Sequence, residues 1–81
     1  MKILDVRSKQ EYEEGHLNNA INFNLMDMMD GELPDIDKDE KILLYCLSGD
    51  RASYAKGILE TAGFTNVENG GGYLDLKSKG Y

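Results

Sequence analysis

Apolar residues in this chain come in short runs separated by polar turns, and the runs switch between strand-like and helix-like spacing. Ile3-Leu4-Asp5-Val6 reads as a short buried strand. Ser8-x-x-Glu11 follows as a capping box, in which each side chain satisfies the other residue's backbone N–H. It predicts a short helix through Glu14, ended by Gly15. Ala20-Ile21-Asn22-Phe23 reads as a second strand, and Asn24 as the cap of a brief helix carrying Leu25, Met28 and Met29. Gly31 to Glu40 is a polar loop with the only proline, Pro34. Lys41-Ile42-Leu43-Leu44-Tyr45 is the clearest strand, short, apolar and bounded by turn residues. Arg51 to Ala62 is the clearest helix: Ala52, Ala55, Ile58, Leu59 and Ala62 share one face, and Gly63 stands at the C′ position. Asn66-Val67 predicts a fourth strand, Gly70-Gly71-Gly72 a tight turn, and Tyr73 to Lys79 a last short helix.

Strands alternating with helices imply βα units. The expected class is α/β, a small three-layer fold with a central parallel sheet of about four short strands flanked by helices. Residues 1–81 form one domain on this reading, with no repeat, linker or low-complexity tract. Open sheets of this kind place their sites beyond the carboxyl ends of the strands.

Charge and cysteine usage narrow the partners. Nine basic residues against fifteen acidic give a net charge of −6, which argues against nucleic acid or an anionic membrane as the main partner. A single cysteine rules out an intramolecular disulfide and fits a reducing compartment. The N-terminus has no signal-peptide pattern, and no run approaches the ~20 apolar residues of a membrane span. A cytoplasmic protein is expected.

That one cysteine, Cys46, stands where the clearest strand stops and the clearest helix is about to start. A short loop before a helix N-terminus gathers backbone N–H groups around one point, and such a cradle favours a thiolate, a persulfide or an oxyanion. The alternative is a buried cysteine acting as a small hydrophobe. The small and polar residues after Cys46 favour the reactive reading. Within the loop, Gly49 allows unusual torsions and a close ligand approach, Ser48 offers a hydroxyl, and Arg51 adds positive charge. Asp50 adds a negative charge unless it turns outward and pairs with Arg51 or Lys56.

Cys46-x-x-Gly49-x-Arg51 resembles the active-site loop of rhodanese-type sulfurtransferases. Leu4-Asp5-Val6-Arg7, Glu11-Tyr12-x-x-Gly15-His16-Leu17-x-x-Ala20-Ile21-Asn22, Gly63-Phe64-x-x-Val67 and Gly70-Gly71-Gly72-Tyr73 resemble, in order, the family's other motifs. Each is weak alone, and the ordered set is specific. The resemblance implies one minimal rhodanese-like domain with Cys46 as catalytic residue and Leu47, Ser48, Gly49, Asp50 and Arg51 as substrate-binding residues. It implies no cofactor. The implied reaction takes sulfane sulfur from thiosulfate or a protein persulfide and passes it, through a Cys46 persulfide, to cyanide or a thiol. Two other roles remain open: a non-enzymatic persulfide carrier or binding module, and a small phosphatase or arsenate reductase. Such phosphatases resemble this fold but carry a loop one residue longer, and only Leu47 to Asp50 separate Cys46 from Arg51 here. Asp50 would repel thiosulfate, which favours a persulfide on another protein as donor. The chain begins almost at the family's first central strand, so it looks like the shortest single-domain form, with a sheet edge open to pairing.

Other polar features read as structural. His16, the only histidine, belongs to a turn. Asp5 and Arg7 alternate onto one side of their strand, and Arg7 is expected to pair with Asp5 or Glu11. Asp35-x-Asp37-x-Asp39 begins like a calcium loop, but Glu40 replaces the required glycine and Cys46 the final glutamate, so it reads as a solvated loop. No His and Cys set for zinc is present. Gly70-Gly71-Gly72 lacks the third spaced glycine of a dinucleotide fingerprint. Met26, Met28 and Met29 read as core or rim packing.

Overall fold

Strands and helices alternate along the whole chain in the computed structural model, which describes residues 1–81. They are β1 (Lys2–Asp5), α1 (Lys9–Glu14), β2 (Ala20–Asn22), α2 (Leu25–Met29), β3 (Ile42–Cys46), α3 (Asp50–Thr61), β4 (Val67–Gly72) and α4 (Tyr73–Ser78). The strands form one parallel sheet in the order β2-β1-β3-β4. The expected α/β class and parallel sheet are therefore observed. No helix is long and apolar enough to cross a membrane.

β3 is central, and all five of its residues are buried. Side chains alternate across a strand, so β3 feeds two cores. Ile42, Leu44 and Cys46 join Leu4, Val6, Leu25, Met28, Ala52, Ala55, Leu59 and Phe64 under α2 and α3. Leu43 and Tyr45 pack on the other face with Leu17, Ala20 and Leu76, lined by Tyr12 and Tyr73. The small residues Ala52 and Ala55 let α3 lie close to the sheet, which brings its N-terminus down beside the end of β3.

Local signals account for the helix ends. The capping box of α1 is formed: Glu11 N–H donates to Ser8 Oγ, and Ser8 N–H donates to Glu11 Oε1. Asn24 caps α2 through the N–H of Met26. Of the methionine cluster only Met28 reaches the core. Met26 and Met29 are 61% and 64% exposed, because a helix this short buries a single face. His16 stacks on Tyr12 with ring centroids 3.7 Å apart, a structural contact.

The glycine triplet requires a correction. It does not turn the chain; it completes β4. Leu44 pairs with Asn69 and Cys46 with Gly72, so β4 carries an extra residue in a bulge opposite β3. Gly71 takes φ 97° there, and its N–H is satisfied by Asn69 Oδ1 at 2.9 Å. Close approach explains why glycines can form this strand. A Cβ on Gly70 would meet Leu43 Cδ1 at 2.9 Å, and one on Gly72 would meet the Leu47 carbonyl oxygen at 2.5 Å.

Candidate active site

Cys46 is the last residue of β3, at the carboxyl end of the sheet. Gly49 then turns the chain into α3 with φ 97°, a torsion that favours glycine. That turn folds the loop back over the sulfur, and the Gly49 N–H donates to Cys46 Sγ at 2.9 Å. No side chain caps α3, so its first N–H groups remain as donors at the same end. Neither Leu47 nor Ser48 donates its N–H to the backbone. The sulfur is fully shielded from solvent, whereas Leu47 beside it is 57% exposed. The loop thus closes over the sulfur and sets one backbone donor, the Gly49 N–H, against it.

Two contacts from β4 fix the loop. Asn69 Nδ2 donates to the Gly49 carbonyl at 3.0 Å. A Cβ on Gly49 would stand 3.3 Å from Gly71 Cα, so the loop and the glycine strand lie backbone to backbone.

Charges around the loop differ from expectation. Arg51 points to α1, and Nη1 and Nη2 donate to Glu11 Oε1 and Oε2 at 2.7 and 3.0 Å. Asp50 therefore pairs with neither Arg51 nor Lys56; its nearest polar partner is Ser48 Oγ, a long contact at 3.5 Å. The Arg51 fork, together with Ser8, pulls the Glu11 carboxyl from its ordinary 4.5 down to about 2. Arg51 is in turn held charged, first by Glu11 and to a smaller degree by the charge on Cys46.

This pair predicts a pH dependence. Glu11 has a lower pKa folded than unfolded, so its contribution is complete above about pH 4.5 and is lost as the pH falls toward about 2. The full shift would be worth about 3 kcal/mol, but partners 29% and 37% exposed are screened, leaving about 1 kcal/mol. Glu11→Gln is expected to lower stability by that amount at pH 7 and by almost nothing near pH 2. Urea midpoints at both pH values check this; an equal gap at both would contradict it.

On the opposite face, a buried network props up the strand ends. Arg7 Nε and Nη2 clamp the fully buried Asp5 carboxylate, with Nη2 2.7 Å from Oδ2. This is one of the two pairings expected for Arg7. Tyr45 donates its hydroxyl to Asp5 Oδ2 at 2.8 Å and accepts the Leu17 N–H at 3.1 Å. Burial pushes the Tyr45 phenol far up, so it stays a neutral donor. Arg7 also donates to the Gly15 carbonyl, and its guanidinium lies 4.6 Å from the Tyr73 ring centroid. Tyr45, the residue before Cys46, is thus tied to Asp5 of β1, to Leu17 in the loop after α1 and, by stacking on Tyr73, to α4.

The ordered motifs, the parallel sheet and the closed cysteine loop all fit one family, and the model of the rhodanese-like domain matches residues 1–79. This chain belongs to the rhodanese-like domain family. It is similar to the thiosulfate sulfurtransferase PspE of Escherichia coli strain K12, at 35% identity over 74 residues that cover 90% of this chain and 71% of that protein. A solved rhodanese from E. coli, described with anions, superposes with a TM-score of 0.77 at 35% identity, covering 91% of this chain and 88% of that one. A rhodanese-like domain from Anabaena sp. gives a TM-score of 0.85 at 30% identity over 99% of this chain and 93% of that one. The chain spans only 15–23% of the length of several other curated relatives, so the domain also occurs inside larger proteins.

Cys46 to Arg51 run from the end of β3 into the first turn of α3, with the Gly49 N–H on Cys46 Sγ and the Arg51 side chain turned to Glu11. Sequence reasoning missed Glu11 as the partner of Arg51 and Asn69, Gly71 and Gly72 as its supports. The capping box had already given Glu11 a local role, which hid its second one. Asn69 carried no signal beyond standing beside the glycines.

Proposed function

We propose that this domain is a sulfurtransferase that works through a persulfide on Cys46. The carrying observation is the Gly49 N–H held 2.9 Å from Cys46 Sγ at the mouth of α3. The thiolate attacks the outer sulfur of a sulfane donor. A sulfur–sulfur bond forms on Cys46 while the donor's sulfur–sulfur bond breaks, and the leaving sulfite or thiolate keeps the electron pair. Cyanide or a thiolate then attacks the outer sulfur of the persulfide, and the Cys46 thiolate is regenerated. No net oxidant is required. The Gly49 amide holds the charge on sulfur, Leu47 and Ser48 form the lip, and Asp50 and Arg51 set the local field.

The tightness of the loop favours sulfur over phosphate or arsenate. A donor already in contact with Sγ leaves room for one further sulfur more readily than for a tetrahedral oxyanion. Its free thiol suits a reducing compartment, and we place the domain in the cytoplasm, acting as a single unit over residues 1–81.

Turnover tests enzyme against carrier. Protein loaded with sulfane sulfur is expected to yield thiocyanate on addition of cyanide, with matching loss of the adduct. An adduct that survives both cyanide and thiols would favour the carrier.

A further inference from the structure

We infer that the outer face of α2, with the turn after it, is a docking surface for a basic amphipathic segment of another protein. This does not depend on sulfur transfer.

Two independent patterns meet on this face. The first is charge. The stretch from Gln10 to Asp37 holds eight of the fifteen acidic residues and none of the nine basic ones, so it carries the whole net negative charge. The rest of the chain has more basic residues than acidic. Within the stretch, Asp27, Asp30, Glu32 and Asp35 are exposed, and none of them forms an ion pair.

The second pattern is apolar exposure. Leu25 and Met28 anchor α2 in the core, which leaves Met26 and Met29, three residues apart on the helix, turned to solvent. The Glu32 N–H donates to the Asp27 carbonyl at 3.0 Å and folds the chain back against the end of α2. Leu33 follows, exposed, between Glu32 and the buried Pro34. Three exposed apolar side chains and four unpaired carboxylates thus fall within ten residues, Met26 to Asp35. The Asn24 cap and the buried side of the helix hold this face in place.

Charge selects the occupant. A second copy of the chain would bring the same carboxylates to the contact, and nucleic acid or an anionic membrane is repelled in the same way. A segment with Lys or Arg flanking an apolar stripe meets both patterns at once. Its cations pair with Asp27, Asp30, Glu32 and Asp35, and its apolar side chains cover Met26, Met29 and Leu33. The unbranched thioethers of methionine adapt to such a stripe, and an amphipathic helix is its simplest form.

The test measures binding of a synthetic Leu–Lys peptide, with its leucines at helical spacing, by fluorescence anisotropy. Two control peptides carry Glu in place of Lys, or the same residues scrambled so that the leucines share no face. The Leu–Lys peptide is expected to bind at least about tenfold more tightly than either control at low salt, and to weaken as salt rises. Met26→Ser with Met29→Ser is expected to cut its affinity about tenfold while the urea midpoint stays near that of the wild type. Asp27→Asn with Asp30→Asn is expected to cut it roughly fivefold at low salt and less at high salt. Equal binding of the scrambled peptide, or an affinity that the methionine pair does not move, would reduce the effect to general attraction of cations and overturn the inference. A wild-type dimer that the methionine variant loses would give the face to a second copy and overturn it as well.

Discussion

Replacing Arg7 with methionine is expected to remove a large share of the protein's stability. The change leaves the Asp5 carboxylate fully buried with its cation gone. Stranding one partner of a buried pair costs about 3–5 kcal/mol. A domain of 81 residues has only about 4–12 kcal/mol to lose. Tyr45 and the Arg7 amide still donate to Asp5, so the lower part of that cost range applies. Adding Asp5→Asn to Arg7→Met removes the stranded charge, so the double variant is expected to be more stable than Arg7→Met alone. Urea unfolding of the three proteins checks both statements. A single variant that melts like the wild type, or a double variant worse than the single, would show that the pair does not carry the strand ends.

The second large effect is expected at Gly72. Its φ of −99° is open to any residue, so Gly72→Ala tests space and not torsion. The new Cβ would lie 2.5 Å from the Leu47 oxygen, 3.4 Å from Leu47 C and 3.6 Å from Ser48 Cα. All three atoms are backbone, so the loop itself must move. Overpacking of this kind costs about 1–3 kcal/mol, and a displacement of about 1 Å at a reacting centre costs on the order of a hundredfold in rate. Sulfur loading is expected to fall at least about tenfold while the protein remains folded. Gly57→Ala on α3 is the control, since nothing lies within 4 Å of its Cβ. It is expected to stabilise by about 0.5–1 kcal/mol and leave loading as it was. Equal loading by the Gly72 and Gly57 variants would show that β4 does not position the loop.

These two sites also show where sequence reasoning stopped. β3 and α3 were legible because burial imposes a pattern: five apolar residues in a row, then small residues at helical spacing. The capping box of α1 was legible because its partners lie three residues apart. β4 was legible only at its start, where Asn66-Val67 predicted a strand; its glycines have no side chains to show a strand period, and what holds them in the sheet is the backbone of another element. The boundaries of β1 and β3 each moved by one residue, Val6 falling just outside β1 and Cys46 just inside β3. The cysteine loop was placed correctly from the strand–helix junction. Its electrostatics were not, because Glu11 lies forty residues from Arg51 and only the folded chain brings the two side chains together. A nearer carboxylate, Asp50, was the natural partner on paper. In the folded chain it is exposed, and Arg51 pairs with Glu11 instead.

The most direct measurement is the intact mass of the native protein after exposure to cysteine persulfide and then to cyanide, for wild type and Cys46→Ser side by side. The wild type is expected to gain one sulfur atom and lose it to cyanide as thiocyanate, while the folded Cys46→Ser protein gains none and produces no thiocyanate above background. A wild-type protein that takes up no sulfur from either persulfide or thiosulfate, or a Cys46→Ser variant that still turns over, would contradict the assignment of Cys46 as the sulfur carrier.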